Sequence, residues 1–425
     1  MARTEKSLGA TLKETFGGAV GNSIEWYDFA VFGFSAPITA HLFVSASNHL
    51  LSIFYVYLLF ALGFISRPIG SFIFGYIGDK YGRTVTLKLT VWLMSVPTVL
   101  LGLMPTYATL GIATPIIIAF LRLMQGLAMG GEFTGSIIYL AESAPSNRRG
   151  LFASFGYMST TAGILLGSAI VALNHHLFSM QQTLEWAWRL PFLFALLLGI
   201  TAYFLRKNLP EPEFMKRREK PTYNPILLAF KQNKPSIFKT IGLNIFNAIG
   251  FYVFFIFMVT YFSTLLHFEM KFALLLNTLC LLILMLTIPI AGLISDIYSR
   301  KKILLIATTL LFILIVPAFS YFSNTHVWLS SLIMVVLTVL FGFIQGSLPV
   351  TFVDLFPPQT RASGLSISFN ISNAIFGGTA PAVAMWLISF NGGKFYGLTA
   401  YLMIALLIFV LTTITLTQTG RRTDT

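Results

Sequence analysis

Five ionisable residues in the first half of the sequence lie within long apolar stretches, where a charge is costly. They are Glu25, Asp28, Arg67, Arg122 and Glu132. Such a group inside a lipid bilayer costs about 2.5–3.5 kcal/mol on insertion scales, so it is rare there unless it has a function. A carboxylate that is neutral in one state and charged in another can carry a proton, and a nearby arginine favours its charged form. We therefore predict proton coupling by Glu25, Asp28, Arg122 and Glu132.

Glu25 and Asp28 are three residues apart, which places both carboxylates on one face of a helix. Two carboxylates in a medium of low dielectric constant repel each other, so at least one is expected to bind a proton near neutral pH. Asn22 extends the same face. The alternative is a fixed ion pair with Arg67 or Arg122 that only holds helices together. The sequence does not decide which carboxylate carries the proton.

The two arginines have alternative interpretations as well. Arg122 and Glu132 are ten residues apart, about 15 Å along a continuous helix. Arg122 would keep a carboxylate charged until a proton or a solute displaces it, or it would form a structural salt bridge. Arg67, which precedes Pro68, would either bind a substrate carboxylate through two parallel hydrogen bonds or pair with Asp28.

The composition indicates the elements that hold these residues. Of 425 residues, 56% are hydrophobic and only 10% are charged, whereas about one quarter of a soluble domain is charged. A soluble fold of this length cannot bury so much apolar surface. Apolar stretches of roughly 20 residues, enough to span a bilayer, alternate with breaks rich in Gly, Pro and charge. The sequence predicts an all-α integral membrane protein with twelve transmembrane helices, at 17–43, 50–77, 84–107, 112–140, 151–174, 187–205, 239–262, 272–294, 303–322, 327–352, 363–389 and 395–417.

The longest polar stretch divides the chain into two sets of six helices. We expect an N-terminal six-helix half at 1–205, a cytoplasmic linker at 206–238 and a C-terminal six-helix half at 239–425. GYIGDKYGR at 75–83 is repeated weakly as AGLISDIYSRKK at 291–302. Two pseudo-symmetric halves are the expected build of a carrier whose halves rock about a central site.

The basic residues predict the orientation. If the N-terminus is cytoplasmic, 23 of the 28 Lys and Arg residues fall in cytoplasmic segments, and only Arg189, Lys271 and Lys394 lie outside. This asymmetry follows the positive-inside rule and predicts a multi-pass protein of the bacterial plasma membrane (inner membrane) with both termini cytoplasmic. It also accounts for the net charge of +13, so no nucleic-acid partner is expected.

Charged residues and glycines near the predicted cytoplasmic helix ends are expected to act in gating. Glu142 and Arg149 flank one loop, seven residues apart, and Asp354 and Arg361 flank the equivalent loop of the second half. Glycines permit close helix approach, while Asp and Arg can cap helix ends or bridge the halves. A bridge would hold the outward-facing state; a simple helix cap is the alternative. The predicted gating residues are Gly75, Asp79, Gly82, Arg83, Glu142, Arg149, Asp296, Asp354 and Arg361.

Aromatic and amide side chains on three helices predict where a solute binds. Trp26 and Tyr27 lie between the two acidic residues of the first helix, and the seventh and eleventh helices contribute amides and rings. An aromatic wall with amide donors suits a quaternary ammonium group through cation–π contacts, or a small amino acid. For each Asn the alternative is an interhelical hydrogen bond. The predicted substrate-binding residues are Asn22, Trp26, Tyr27, Arg67, Asn247, Phe251, Tyr252, Asn370 and Asn373.

Several segments resemble a known family. GYIGDKYGRT and AGLISDIYSRKK look like the loop signature of the major facilitator superfamily, and RLMQGLAMGGE (122–132) is similar to the fourth-helix motif of its proton-coupled members. GNSIEWYDFAVFGF (21–34), RPIGSFIFGYIGDKYGR (67–83) and GGEFTGSIIYLAESAPSNRRG (130–150) resemble the metabolite:proton symporter family, which includes proline/glycine betaine, ketoglutarate, citrate and shikimate carriers. The resemblance implies the major facilitator fold and proton-coupled uptake of a small organic metabolite by alternating access, with Arg122 near the proton site. A proton-driven exporter or an uncoupled facilitator is the alternative.

Other classes of chemistry find little support. The single cysteine, Cys280, excludes an intramolecular disulfide and makes a thiolate metal cluster implausible. The NGGKFYG stretch (391–397) lacks the Ser or Thr that follows the lysine of a phosphate-binding loop. We therefore expect a transporter and not an enzyme, without cofactor or metal. Its expected partners are a small-molecule solute, a proton and the lipid bilayer, and it is expected to be a monomer.

Overall fold

The computed structural model of the protein describes residues 22–23, 25–45, 48–81, 83–130, 132–207, 231–322, 327–390 and 394–417. These residues form helices and connecting turns, with no strand among them. We number twelve helical segments in this part of the chain: α1 (25–34 and Ala36–Phe43), α2 (His49–Ile65 and Arg67–Tyr81), α3 (Arg83–Leu103), α4 (Ala113–Ala128 and Glu132–Ser143), α5 (Arg149–Leu177), α6 (Arg189–Lys207), α7 (Lys234–Tyr252, continuing to Leu265), α8 (Met270–Ile297), α9 (Arg300–Phe322), α10 (Val327–Asp354), α11 (Arg361–Ser372 and Ala380–Phe390) and α12 (Tyr396–Ile414).

The helices of the described residues suit a bilayer. Nine of them are long and apolar enough to cross it, and a tenth results if Met180–Ala187 and Arg189–Thr201, bent by 52°, count as one span. The apolar part of α3 is shorter, at Leu89–Leu103. A backbone polar group finds no partner in lipid, so an apolar stretch must pair its own amides and carbonyls as a helix. The predicted all-α membrane fold is confirmed.

The helices differ in how much of their surface lies inside the protein. The apolar window of Lys234–Leu265 is 100% buried, whereas that of Arg300–Phe322 is 39% buried. Helix α7 is therefore an interior element, and α9 presents most of its surface to the surroundings. The polar side chains of α7 are thus placed among other helices, where they must find hydrogen bonds or bind a ligand.

Two helices depart from the predicted pattern near the amides assigned to them. Helix α7 begins at Lys234, inside the predicted linker, because Pro235 at its first turn has no N–H that would need a partner. It changes to π-helix at Val253–Phe257, directly after Tyr252. Helix α11 does the same at Asn373–Gly377. Single π-helical turns are frequent at functional sites, and hydropathy gives no sign of them.

Candidate functional site

Four of the five ionisable residues have described side chains, and all four are buried. Glu25 and Asp28 on α1 are 4% and 2% exposed, Arg67 on α2 is 1% exposed, and Arg122 on α4 is fully buried. Because water does not reach these charges, neighbouring protein groups must stabilise them.

Arg67 lies among aromatic rings and next to Glu25. Its guanidinium carbon is 5.4 Å from the ring centroid of Trp26 and 5.4 Å from that of Phe64. Glu25 and Tyr252 interact with it electrostatically. The Nε and Nη1 groups of Arg67 donate no hydrogen bond to any described atom. The rings and the carboxylate thus stabilise the cation, while two strong donors remain open to a ligand.

Arg122 is held in a second aromatic environment. Its guanidinium carbon lies 4.4 Å from the ring centroid of Phe29, 4.3 Å from that of Phe32 and 5.2 Å from that of Phe60. Its Nη1 donates to Gln125 Oε1 at 2.9 Å.

Asp28 is the carboxylate that faces Arg122. The two side chains interact electrostatically, but neither carboxylate oxygen of Asp28 has a hydrogen bond within the described residues. Thr98, the other polar neighbour of Asp28, accepts a hydrogen bond of 2.7 Å from Gln125. Thr98 and Arg122 are therefore the two neighbours that favour the charged form of this buried carboxylate.

Each arginine accordingly has a different carboxylate among its electrostatic neighbours, Glu25 for Arg67 and Asp28 for Arg122. The sequence offered Asp28 as a partner of Arg67, and the structure places Arg67 beside Glu25 instead. Glu25 and Asp28 share a face of α1 but differ in height along it by about 4.5 Å, and the two arginines come from different helices, α2 and α4.

Close packing of α2 and α4 brings the two arginine-bearing helices together. A Cβ atom at Gly126 of α4 would lie 1.9 Å from the carbonyl oxygen of Gly63 on α2, so only glycine fits. One turn further, Ser66 Oγ donates to Leu123 O at 2.9 Å. The GLAMGG run that the sequence analysis took as part of a motif thus has a packing role.

Three amides from the second half form a connected group, which we call the amide cluster: Asn244, Asn247 and Gln345. Asn247 Nδ2 donates to Asn244 Oδ1 at 2.9 Å and to the hydroxyl of Tyr157, on α5, at 3.0 Å. Gln345 Nε2 donates to Asn247 Oδ1 at 3.3 Å. The cluster therefore joins α7 and α10 to α5, across the two halves.

Tyr157, Gln125 and Gln345 were missed by the sequence analysis. The predicted site residues were ionisable residues within apolar stretches and Asn residues near aromatic residues, and these three belong to neither class. A search for every amide or tyrosine within a predicted span would have found all three, although not their partners.

The remaining predicted binding residues lie in three kinds of place. Phe251 packs on Tyr252, 5.4 Å between ring centroids, and Tyr252 interacts electrostatically with Arg67. Asn370 Nδ2 donates to Gly130 O at 2.7 Å across the halves. The others make contacts within their own half: Asn22 with Ser159, Asn373 with Phe369, and Tyr27 with Pro191. Tyr27 thus points toward α6 and away from the arginines.

Charged residues link the halves at the end of the bundle predicted to be cytoplasmic; we call them the charged cluster (Glu142, Arg149, Asp296, Arg300, Asp354 and Arg361). Arg149 Nη2 is 2.8 Å from Asp354 Oδ1. Arg361 pairs with Glu142, and Arg300 pairs with Asp354. The structure brings the predicted gating residues of this cluster together. In each ion pair between the halves, the acid comes from one half and the base from the other: Asp354 with Arg149, and Glu142 with Arg361.

Asp296 binds a helix N-terminus. Its Oδ1 and Oδ2 accept hydrogen bonds from the backbone N–H groups of Gly150, at 2.6 Å, and Leu151, at 2.9 Å. A carboxylate at the positive end of α5 is favoured by both the free amides and the helix dipole. A Cβ atom at Gly150 would lie 2.6 Å from Gly292 O, so glycine permits α8 to approach closely enough for this contact.

The halves also touch at the opposite end of the bundle, through hydroxyl groups that we call the hydroxyl contacts. The hydroxyl of Tyr57 is 2.6 Å from Thr260 Oγ1, joining α2 to α7. Ser168 Oγ is 2.8 Å from Thr278 Oγ1, joining α5 to α8, and Asn277 donates to Ser168 at 3.2 Å. The described residues of the two halves are thus in contact at both ends of the bundle.

Some predicted residues lie outside the part of the chain that can be described. Gly82 is one, and so are the side chains or immediate surroundings of Gly75, Asp79, Arg83 and Glu132. Among the described residues, no group of three or more His, Cys, Asp or Glu side chains is placed to hold a metal ion.

The family model described as "Major Facilitator Superfamily" matches residues 18–381 and, again, 240–424. The chain belongs to the major facilitator superfamily. This membership confirms the resemblance drawn from the loop and helix motifs, and it implies the twelve-helix fold. A member of this superfamily is a multi-pass membrane transporter and not an enzyme.

Curated members of the superfamily align with nearly all of the chain. It is 32% identical to the glycine betaine/proline/ectoine/pipecolic acid transporter OusA of Dickeya dadantii, over 97% of this chain and 85% of that protein. It is 31% identical to the alpha-ketoglutarate permease of Escherichia coli, over 92% and 91%. It is 29% identical to the citrate-proton symporter of Klebsiella pneumoniae, over 91% and 87%.

Solved structures of the superfamily share the fold. The partially occluded inward-open structure of the xylose transporter XylE from E. coli superposes with a TM-score of 0.78 at 18% sequence identity, covering 97% of this chain and 99% of that one. A crystal structure of the D-xylose-proton symporter gives a TM-score of 0.76 at 19% identity, covering 97% and 98%.

Proposed function

We propose that the protein is a proton-coupled symporter that takes up a small zwitterionic metabolite of the proline or betaine type. It would act in a bacterial inner membrane with both termini in the cytoplasm. The observation that carries this proposal is a set of two buried arginines and two buried carboxylates that interact electrostatically. The names of the relatives support the same class of solute, since OusA is a glycine betaine and proline transporter.

The charge balance favours a zwitterion over a polycarboxylate. Glu25, Asp28, Arg67 and Arg122 are buried, and their charges sum to zero when all are charged and to +1 when Asp28 carries the transported proton. A zwitterion leaves this site neutral or with one positive charge, whereas a dicarboxylate or citrate leaves it with a net negative charge in both states of Asp28. An uncompensated charge in an environment of low dielectric constant is strongly disfavoured. A carboxylate carrier is therefore the second candidate, favoured only by the permease and citrate relatives.

The two arginines have separate roles in this proposal. Arg67 has open N–H groups at Nε and Nη1 beside an aromatic wall, and either can bind a carboxylate oxygen of the solute. Asp28 lies next to Arg122 without a hydrogen bond of its own in the described structure, which suits a group that gains and loses a proton. We assign the solute carboxylate to Arg67 and the transported proton to Asp28.

Alternating access follows from the two sets of inter-half contacts. Protonation of Asp28 from outside and solute binding at Arg67 would stabilise the occluded state, in which both sets are formed. The charged cluster would then open while the hydroxyl contacts hold, so that solute and proton leave into the cytoplasm. A solute drives this change only by binding one state more tightly than the other.

The test uses proteoliposomes with an alkaline interior, offered labelled proline, glycine betaine, ketoglutarate or citrate in separate assays, and the same vesicles without a proton gradient. We expect gradient-dependent accumulation of a zwitterion and none of the polycarboxylates. Equal uptake with and without the gradient would establish a facilitator. Gradient-driven loss of solute preloaded into the vesicles would establish an exporter.

A further inference from the structure

We propose that Gln345 on α10 determines which zwitterion is transported, by accepting a hydrogen bond from an N–H group of the solute. The inference rests on the proposed function, because it concerns a zwitterionic solute at the same site. It predicts a preference for a secondary or primary ammonium, as in proline, over a quaternary ammonium, as in glycine betaine.

Two atoms of the amide cluster have no hydrogen-bond partner in the described structure, Asn244 Nδ2 and Gln345 Oε1. Asn247 Nδ2 donates to Tyr157 and Asn244, and Asn247 Oδ1 accepts from Gln345. Gln345 is 2% exposed, and its Oε1 accepts no hydrogen bond from any described group. A buried polar atom of this kind calls for a partner, and an amide oxygen can be satisfied only by a donor.

The atom of Gln345 that is left without a partner is an acceptor. Gln345 Nε2 donates to Asn247 Oδ1, and rotation of the Gln345 amide alone by half a turn would place two oxygens against each other. Asn247 in turn donates through its Nδ2 to Tyr157 and Asn244. In this arrangement of hydrogen bonds Oε1 is the free atom, and an amide oxygen accepts and does not donate.

Arg67 and Gln345 lie at similar distances along their helices. Arg67 lies about 27 Å from the start of α2 at His49, and Gln345 about 27 Å from the start of α10 at Val327, at ~1.5 Å per residue. Both helices begin at the end of the bundle that carries the hydroxyl contacts. A solute at this depth has Arg67 in the first half for its carboxylate and Gln345 in the second half for its ammonium.

Aromatic rings connect the two positions. The ring centroid of Phe133 is 6.2 Å from that of Trp26, which lies over Arg67, and 5.2 Å from that of Tyr157, which binds the amide cluster. These rings would attract any cationic group and do not distinguish proline from betaine. A hydrogen-bond acceptor does, because an analogue without the N–H leaves a buried oxygen unpaired.

The experiment measures the initial uptake of labelled proline and labelled glycine betaine under the same proton gradient, in the wild-type protein and in Gln345→Met. Methionine has a similar length but no acceptor of comparable strength. We expect the ratio of proline to betaine uptake to be above one in the wild type and to fall by about tenfold or more in the variant. Because both solutes are measured on one preparation, a loss of folded protein cancels in the ratio.

If Gln345→Met does not fold, Gln345→Asn withdraws the oxygen by one methylene and should lower the ratio in the same direction. An unchanged ratio in the variant would overturn the role of Gln345 while leaving zwitterion symport intact. A wild type that accumulates betaine but not proline would do the same. A wild type that accumulates neither zwitterion would overturn the proposed function itself and this inference with it.

Discussion

Arg149 Nη2 lies 2.8 Å from Asp354 Oδ1 and so ties the start of α5 in the first half to the end of α10 in the second. The reciprocal pair, Arg361 with Glu142, ties the start of α11 to the end of α4. Each pair joins an acid of one half to a base of the other. Residues at equivalent positions of the two pseudo-symmetric halves therefore form two reciprocal ion pairs at the interface between the halves.

This pairing predicts the outcome of a charge reversal. Arg361→Glu alone places a carboxylate against Glu142 and should lower the rate of proton-driven uptake. The double variant Glu142→Arg with Arg361→Glu restores an attractive pair and should recover much of the lost rate. Glu142 is 46% exposed, so the coupling energy is small, about 0.2–1 kcal/mol.

Initial uptake rates, normalised to the amount of protein in the membrane, give the measurement. Glu185→Gln is the control, since Glu185 bonds only locally, to Gln181, in the described structure. A double variant no better than the product of the two single effects would show that the residues act independently.

Asp28→Asn should abolish uphill accumulation of the solute and preserve exchange of labelled for unlabelled solute across the membrane. The amide has the size of the carboxylate but cannot release a proton. Glu25→Gln is the matched variant, one helical turn away. It should instead weaken solute binding, because Glu25 helps to position Arg67. Full accumulation by Asp28→Asn would move the proton to another group.

Close approach of α5 and α8 predicts a steric effect at Gly150. Gly150→Ala would place a Cβ atom 2.6 Å from Gly292 O. We expect it to separate the helices, weaken the hydrogen bonds to Asp296 and lower stability by about 1–3 kcal/mol. Thermal unfolding in detergent measures this. Gly135→Ala is the control, because nothing lies within 4 Å of its added Cβ, and an equal loss in both variants would contradict the argument.

At the opposite end, Tyr57→Phe removes the hydrogen bond to Thr260. The contact is buried, and its loss should destabilise closure there by about 0.5–1.5 kcal/mol. The outward-facing population should rise several-fold in consequence. A cysteine introduced at Ser263, with Cys280 replaced by Ser, would then be labelled faster from outside by an impermeant thiol reagent. Unchanged labelling would assign closure to other contacts.

The sequence by itself determined that this protein lies in a lipid bilayer, and it determined most of the architecture. Apolar stretches of membrane-spanning length can satisfy their backbone only as helices, so the all-α fold followed from composition and hydropathy. The cost of a buried charge singled out Glu25, Asp28, Arg67 and Arg122, since such residues are few in a bilayer-spanning chain. Both inferences rest on properties of single residues or short segments of the chain.

Only the tertiary structure decided which side chains meet. Arg67 interacts electrostatically with Glu25, and Arg122 with Asp28. No spacing along the chain predicts which arginine lies near which carboxylate. Packing between the halves likewise decides that Asp354 pairs with Arg149 and Glu142 with Arg361. It also places Asp296 at the N-terminus of α5. The sequence did not single out Gln345 for the same reason: its hydrogen-bond partner, Asn247, is distant along the chain.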